Sequence, residues 1–351
     1  METRTRTFAA VGFTVVLFVL VQLGALALVG PFDQAGYQQV ENPENPTNSL
    51  VYIGAVLVLT AVMLAIIKLD VKWLLRWALI LTSGLLSWYV FSVVVPAWVT
   101  IPVGGAPLNV VAAAAAASVA IALAVHPEWY VIDAAGVLMG AGAAGLFGIS
   151  FGPLPAILLL GVLAVYDAIS VYGTEHMLTL ASGVMDLKIP VILVVPLSLS
   201  YSFLDDEGMV DDEEMEAEGM GAEAHAEGGE TEPSAADGGR AEGDAHAEAE
   251  RPDASERDAF FIGLGDAVMP TVMVASAAAF GPTDYLVSEL SLNLPALTSM
   301  VGTLLGLLVL LWMVMKGRAH AGLPLLNGGA IGGYLVGALA SGMTLMQAVG
   351  L

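Results

Sequence analysis

Apolar stretches long enough to cross a membrane recur along the whole chain of 351 residues. A transmembrane helix needs about 20 apolar residues to cross a hydrocarbon layer of roughly 30 Å. We predict nine such helices, over residues 8–30, 50–67, 73–98, 108–125, 130–151, 154–172, 259–280, 297–315 and 323–351. The predicted fold class is an all-α polytopic membrane protein, with six helices before a long loop and three after it.

The composition fits this fold class and narrows the chemistry. Hydrophobic residues make up 57% of the chain and charged residues 13%, whereas about a quarter of the residues in soluble domains are charged. Cysteine is absent, which excludes disulfides, thiolate nucleophiles and thiolate metal ligands. The first apolar run continues to residue 30 and is longer than the core of a signal peptide, so we interpret it as the first helix.

Acidic residues are concentrated in one stretch. The formal net charge is −23, and 21 of the 34 acidic residues fall within residues 205–258. Such a charged, weakly hydrophobic stretch predicts disorder, and the acidity disfavours nucleic acid as a partner and is typical of a halophilic archaeon. The predicted organisation is helices one to six over 1–173, an amphipathic and apolar interfacial segment over 174–203, a disordered acidic loop over 204–257 and helices seven to nine over 258–351.

The basic residues predict an orientation. With nine spans, all 11 Lys and Arg residues fall on one side of the membrane, and cytoplasmic loops are the ones that retain Lys and Arg. We therefore expect a multi-pass protein of the cell membrane, with the N-terminus and acidic loop cytoplasmic and the C-terminus external.

Two aspartates, Asp167 and Asp266, have apolar sequence on both sides. A carboxylate inside a membrane is costly and is a functional candidate by default. At 1.5 Å per helical residue, both lie roughly 9 to 12 Å below the predicted cytoplasmic face. If their helices are antiparallel neighbours, the pair would share one proton and hold a water between them. One carboxylate could then activate the water while the other polarises a peptide carbonyl.

Other functions remain open at this point. A single intramembrane aspartate could be a proton relay, an ion site or a contact between helices, and the main alternative is a proton- or cation-coupled transporter. A transporter of that kind is expected to have two related halves with broken helices, and none are found. A third possibility is a chaperone-like membrane protein that resembles a protease and binds a substrate without cutting it. His225 and His246 in the acidic loop are weak metal candidates, so no metal or cofactor is expected.

The residues around Asp266 favour close approach of an extended backbone. Gly263 and Gly265 leave little bulk beside it, and Pro270 removes the hydrogen bond that the carbonyl of Asp266 would accept in a regular helix. A substrate helix must unwind to be cut, and an added β-strand is a natural way to hold it. Residues 189–196 or 323–326 could offer a strand edge, although 189–196 could equally extend a helix.

Three motifs together resemble the presenilin and signal-peptide-peptidase family of intramembrane aspartyl proteases. They are Tyr166-Asp167, Gly263-Leu264-Gly265-Asp266 and the segment Ala321-Gly322-Leu323-Pro324, which matches the family's Pro-Ala-Leu motif only in part. The resemblance implies an endopeptidase that cuts single-span membrane proteins within the lipid bilayer, and the predicted orientation is that of presenilins. It implies catalysis by Asp167 and Asp266, with a site shaped by Tyr166, Gly263, Leu264, Gly265, Leu323 and Pro324. No oligomeric state is predicted.

Overall fold

The computed structural model describes residues 2–69, 71–103, 106–173, 192–197, 202, 259–282, 284–316 and 321–351. Helices dominate these residues. The helices are α1 (Glu2–Gln34), α2 (Thr47–Lys68), α3 (Lys72–Val94), α4 (Val110–Val125), α5 (Trp129–Ser150), α6 (Pro153–Gly173), α7 (Leu264–Phe280), α8 (Leu294–Val314), α9 (Gly322–Ala340) and α10 (Leu345–Val349). The acidic loop and most of the predicted interfacial segment lie outside the described residues.

The predicted membrane fold is confirmed. Among the described residues, seven helices are long and apolar enough to cross a bilayer, and α4 and α7 are shorter apolar helices. These nine helices lie where the nine spans were predicted. The last predicted span is wrong at its end, because α9 stops at Ala340 and residues 345–349 form the separate helix α10. The chain is therefore a multi-pass membrane protein.

Short strands occupy parts of two predicted loops, of the predicted interfacial segment and of two predicted spans. The strands are β1 (Thr100–Val103), β2 (Ala106–Asn109), β3 (Ile192–Pro196), β4 (Ala259–Gly263), β5 (Tyr285–Val287) and β6 (Leu292–Asn293). They form three antiparallel pairs, β1–β2, β3–β4 and β5–β6. Residues 323–326, one of the two predicted strand edges, are instead helical because they form the first turns of α9.

The seventh predicted span begins as a strand, which corrects the sequence interpretation. Residues 259–263 pair with β3 in a register that places Ile192 opposite Gly263, and only 17 residues remain for α7. A helix of that length covers about 26 Å. Extended backbone at membrane depth is tolerated where protein satisfies its polar groups, and pairing with β3 provides that satisfaction for one edge of β4.

Helices α5 and α7 form the centre of the molecule. Helix α5 packs against α1, α3 and α7, and small residues allow the close approaches. A Cβ added to Gly148 would overlap Ala275 of α7, and one added to Gly142 would overlap Val90 of α3. Small residues at helix contacts are typical of membrane proteins, because dispersion contacts replace the hydrophobic effect there.

Candidate active site

Asp167 lies in α6 and reaches the N-terminus of α9. Its side chain is 7% exposed, and its Oδ2 accepts the backbone N–H of Leu323 at 3.0 Å. The backbone N–H of Gly322 also lies close enough to the same carboxylate to stabilise its charge. The first N–H groups of a helix have no partner inside the helix, and Ala321 offers α9 no side-chain cap. Asp167 therefore caps α9 from a different helix.

Asp266 lies in the first turn of α7, three residues after the end of β4. Helices α6 and α7 pack against each other, and the two carboxylates are close enough to interact electrostatically. Gly322 is next to both of them, because a Cβ built on it would lie 3.5 Å from Oδ2 of Asp266. The described geometry thus brings Asp167, Asp266 and Gly322 to one point.

The segment that matches Pro-Ala-Leu only in part keeps the backbone shape that proline would impose. Ala321 has φ −62° and ψ 122°, and proline fixes φ near −65°. The N–H of Ala321 donates to Oη of Tyr172 at 3.3 Å. Tyr172 is a residue that the sequence interpretation missed, and its position one and a half turns after Asp167 on α6 was the only available signal. The corner before α9 is held without the proline.

The remaining predicted site residues have different environments. Tyr166 is 38% exposed on α6. Gly263 lies beside the site, since a Cβ built on it would be 3.4 Å from Oδ2 of Asp266. The side chain of Leu264 points to α5, where it lies near Gly140. Pro324 is in the first turn of α9.

Gly265 is exposed, and a Cβ built on it would meet no described atom within 4 Å. No described helix therefore packs closely against Gly265, and the space beside it is open among the described residues.

A cavity opens beside Asp266. Its volume is about 220 Å³, and its lining includes Asp266, Gly263 and Gly322 together with apolar side chains of α1 and α8. A mostly apolar cavity with one converging carboxylate is the usual form of a binding site. The cavity offers room for apolar side chains directly next to the aspartate.

Strand β4 leads directly into the site. The sequence allowed residues 189–196 to be either a strand or an extension of a helix. The structure describes residues 192–196 of this segment, and they form strand β3. Leu193, Val194 and Val195 are fully buried, which places β3 inside the protein. Since β4 ends at Gly263 and Asp266 follows in the next turn, a change in the position of β4 would move this carboxylate.

A metal site is not formed by the described residues, among which no group of three or more His, Asp or Glu side chains could hold an ion. His225 and His246 lie outside them.

Comparisons with known proteins agree with this geometry. A family model described as signal-peptide peptidase, presenilin aspartyl protease matches residues 15–343. A solved structure of a presenilin family intramembrane aspartate protease, in space group C222, is 29% identical with a TM-score of 0.59, and the alignment covers 94% of this chain and 99% of that chain. A structure in space group P2, also of a presenilin family intramembrane aspartate protease, is 31% identical with a TM-score of 0.55, covering 93% and 96%. Among curated proteins, the comparison finds no match.

Proposed function

The chain belongs to the signal-peptide peptidase and presenilin family of aspartyl proteases, and we propose that Asp167 and Asp266 are the catalytic pair with which it cuts transmembrane segments. The observation that carries the proposal is the meeting of Asp167, Asp266 and Gly322 at one point inside the membrane protein. Two like charges side by side cannot both ionise readily, so such a pair shares one proton and titrates as a unit.

The hydrogen bonds suggest different roles for the two carboxylates. Asp167 accepts the backbone N–H of Leu323 and lies close to that of Gly322 at the N-terminus of α9, a position that favours negative charge. Asp167 is thus the ionised member and the general base, and Asp266 carries the proton. Asp167 takes a proton from water, the hydroxide adds to the scissile carbonyl carbon, and Asp266 donates its proton to the carbonyl oxygen. The tetrahedral gem-diol then collapses: Asp167 gives the proton it took from water to the amide nitrogen, the C–N bond breaks, and one gem-diol hydroxyl returns its proton to Asp266, which restores the pair.

A substrate segment would bind as an extended strand beside β4. A helix hides its peptide bonds, and adding a strand to a sheet edge exposes them in a regular register. Strand β3 occupies one edge of β4, and the cavity next to Asp266 includes Gly263 at the end of β4. An apolar transmembrane segment fits this lining, because only one ionisable group contributes to it.

The orientation defines the substrates further. If the acidic loop is cytoplasmic, as the basic residues predict, the pair lies nearer the cytoplasmic face. By its likeness to presenilins, the protein would cut single-span proteins with external N-termini, after a larger external part has been trimmed.

Purified protein in lipid vesicles, incubated with a tagged single-span substrate, tests this function. We expect two fragments from the wild type, and none from Asp167→Asn or Asp266→Asn. A transition-state analogue of aspartyl proteases should block the reaction. The proposal fails if the substrate stays intact with the wild type, or if either variant cleaves at the wild-type rate.

A further inference from the structure

A further aspartate, Asp133, is buried and is not part of the proposed catalytic pair. It lies near the start of α5 and is 4% exposed. Its Oδ1 accepts the backbone N–H of Val194 in β3 at 2.7 Å, while its Oδ2 is buried and has no hydrogen-bond partner among the described residues. Burying a carboxyl group with one unpaired oxygen costs free energy, so its presence at this position needs a physical reason.

The membrane environment supplies that reason. Every backbone polar group at membrane depth must be satisfied by protein, and β3 is the edge strand of a two-stranded sheet. In an antiparallel pair, alternate residues direct their N–H and C=O away from the partner strand. Val194 directs its N–H to α5, where Asp133 accepts it. Asp133 therefore satisfies the outward N–H of Val194 in β3 and fixes the strand against α5.

Other contacts join the same part of α5 to the site. A Cβ built on Gly136 would lie 3.0 Å from Leu193 of β3 and 3.8 Å from Leu264, the first residue of α7. Five residues before Asp133, Glu128 accepts the hydroxyl of Ser202, which follows β3 in the chain, at 2.8 Å. The start of α5 thus packs against β3 and against Leu264, which comes two residues before Asp266.

We propose that Asp133 is a positioning residue of the active site, which locks the β3–β4 pair in one register so that a substrate strand added to β4 presents one peptide bond to the aspartates. This inference rests on the proposed proteolytic function. The required property of Asp133 is its acceptor oxygen. Without it, β3 loses its anchor, and register slips become easier.

The variants Asp133→Leu and Asp133→Asn separate this role from a general effect on folding. Leucine has the same branching and number of side-chain heavy atoms as aspartate but no acceptor, and asparagine keeps an oxygen for the N–H of Val194. For Asp133→Leu we expect kcat per folded protein to fall at least about tenfold with KM changed less than about threefold, because the substrate still docks but is presented poorly. Mass spectrometry of the fragments should find cuts at neighbouring bonds. Asp133→Asn should retain more than about half of kcat and the wild-type cut.

A second variant removes the same hydrogen bond from the strand. Val194→Pro deletes the donor N–H, and proline is tolerated in an edge strand where its nitrogen faces away from the ladder. Val194→Pro should shift cleavage to neighbouring bonds as Asp133→Leu does. The kcat of the double variant should be no lower than that of the weaker single variant, because both changes remove the same hydrogen bond.

A matched control is Asn109→Leu. Asn109 is a buried polar residue that caps α4 through the N–H of Ala112, so its loss should lower the unfolding temperature but keep the cut position.

The outcomes are distinguishable. The inference is overturned if Asp133→Leu or Val194→Pro keeps the wild-type kcat and cut, if Asp133→Asn is as impaired as Asp133→Leu, or if Asn109→Leu spreads the cuts equally. A wild-type protein that cuts no substrate would instead overturn the proposed function, and the inference with it.

Discussion

Gly322 is the residue whose size most directly limits the site. Its backbone N–H lies close to the carboxylate of Asp167, and the space beside its Cα is bounded by Asp266 and Leu310 of α8. The motif in the family has alanine at this position, so the glycine leaves slightly more room here. The contact distances allow one methyl group, because 3.5 Å to the carboxylate is ordinary van der Waals contact and the 3.3 Å neighbour is the end of a flexible leucine.

The effect of a substitution at Gly322 on cleavage should therefore depend on the size of the new side chain. We expect Gly322→Ala to keep kcat/KM within about threefold, and Gly322→Val to lower it at least about tenfold because its branched methyl groups would displace the carboxylate of Asp266. Cleavage rates at several substrate concentrations measure both effects. Gly328→Val is the control, since a Cβ on this exposed glycine of the same helix meets no described atom. Equal losses in Gly322→Val and Gly328→Val would contradict the expectation.

At the scale of elements, α8 and α9 form the closest pair of helices in the described chain. Glycines of both helices line the contact: Gly302 of α8 faces Gly329 and Gly333 of α9. Gly306 of α8 faces Leu325, and Gly337 of α9 faces Thr298. At each of them a Cβ would overlap backbone or side-chain atoms of the other helix. This packing holds α9 in place, and the N-terminus of α9 is the part that binds Asp167.

Two adjacent glycines of α9 offer a matched comparison. Gly329→Ala should lower the free energy of unfolding by about 1 to 3 kcal/mol, because its methyl group would overlap the backbone of Gly302. Gly328→Ala should be neutral or stabilising by up to about 1 kcal/mol, because alanine favours helix and the position is open. The unfolding temperatures of the two variants, measured in the same detergent, provide the comparison. If Gly329→Ala unfolds no earlier than Gly328→Ala, the tight packing described for this pair is not needed for stability.

At the scale of the whole molecule, the absence of cysteine makes the orientation easy to test. Glu41→Cys lies in the predicted external loop between α1 and α2, and Lys316→Cys follows α8 on the predicted cytoplasmic side. Both positions are exposed. A membrane-impermeant maleimide should label Glu41→Cys in intact cells and Lys316→Cys only after permeabilisation, because basic residues are retained in the cytoplasm. The reverse pattern of labelling would place Asp167 and Asp266 nearer the external face.

Much of this architecture could be predicted because the bilayer imposes strict rules. Apolar runs of sufficient length predicted the nine helices, and the cost of an intramembrane charge singled out Asp167 and Asp266. The same rule did not reveal the role of Asp133, because it lies near the predicted end of its span, where a carboxylate needs no special partner. Its acceptor role depends on Val194, which is 61 residues away.

The sequence by itself determined the class of fold, the helices and the two aspartates, since these follow from local composition and from the penalty for charge in hydrocarbon. Only the tertiary structure decided that residues 259–263 are a strand, that Asp167 caps α9 and that Gly322 lies beside both aspartates. A short apolar run suits a buried strand or a helix equally well. Residues 259–263 form a strand because they pair with β3, which is distant along the chain and which only folding brings alongside them.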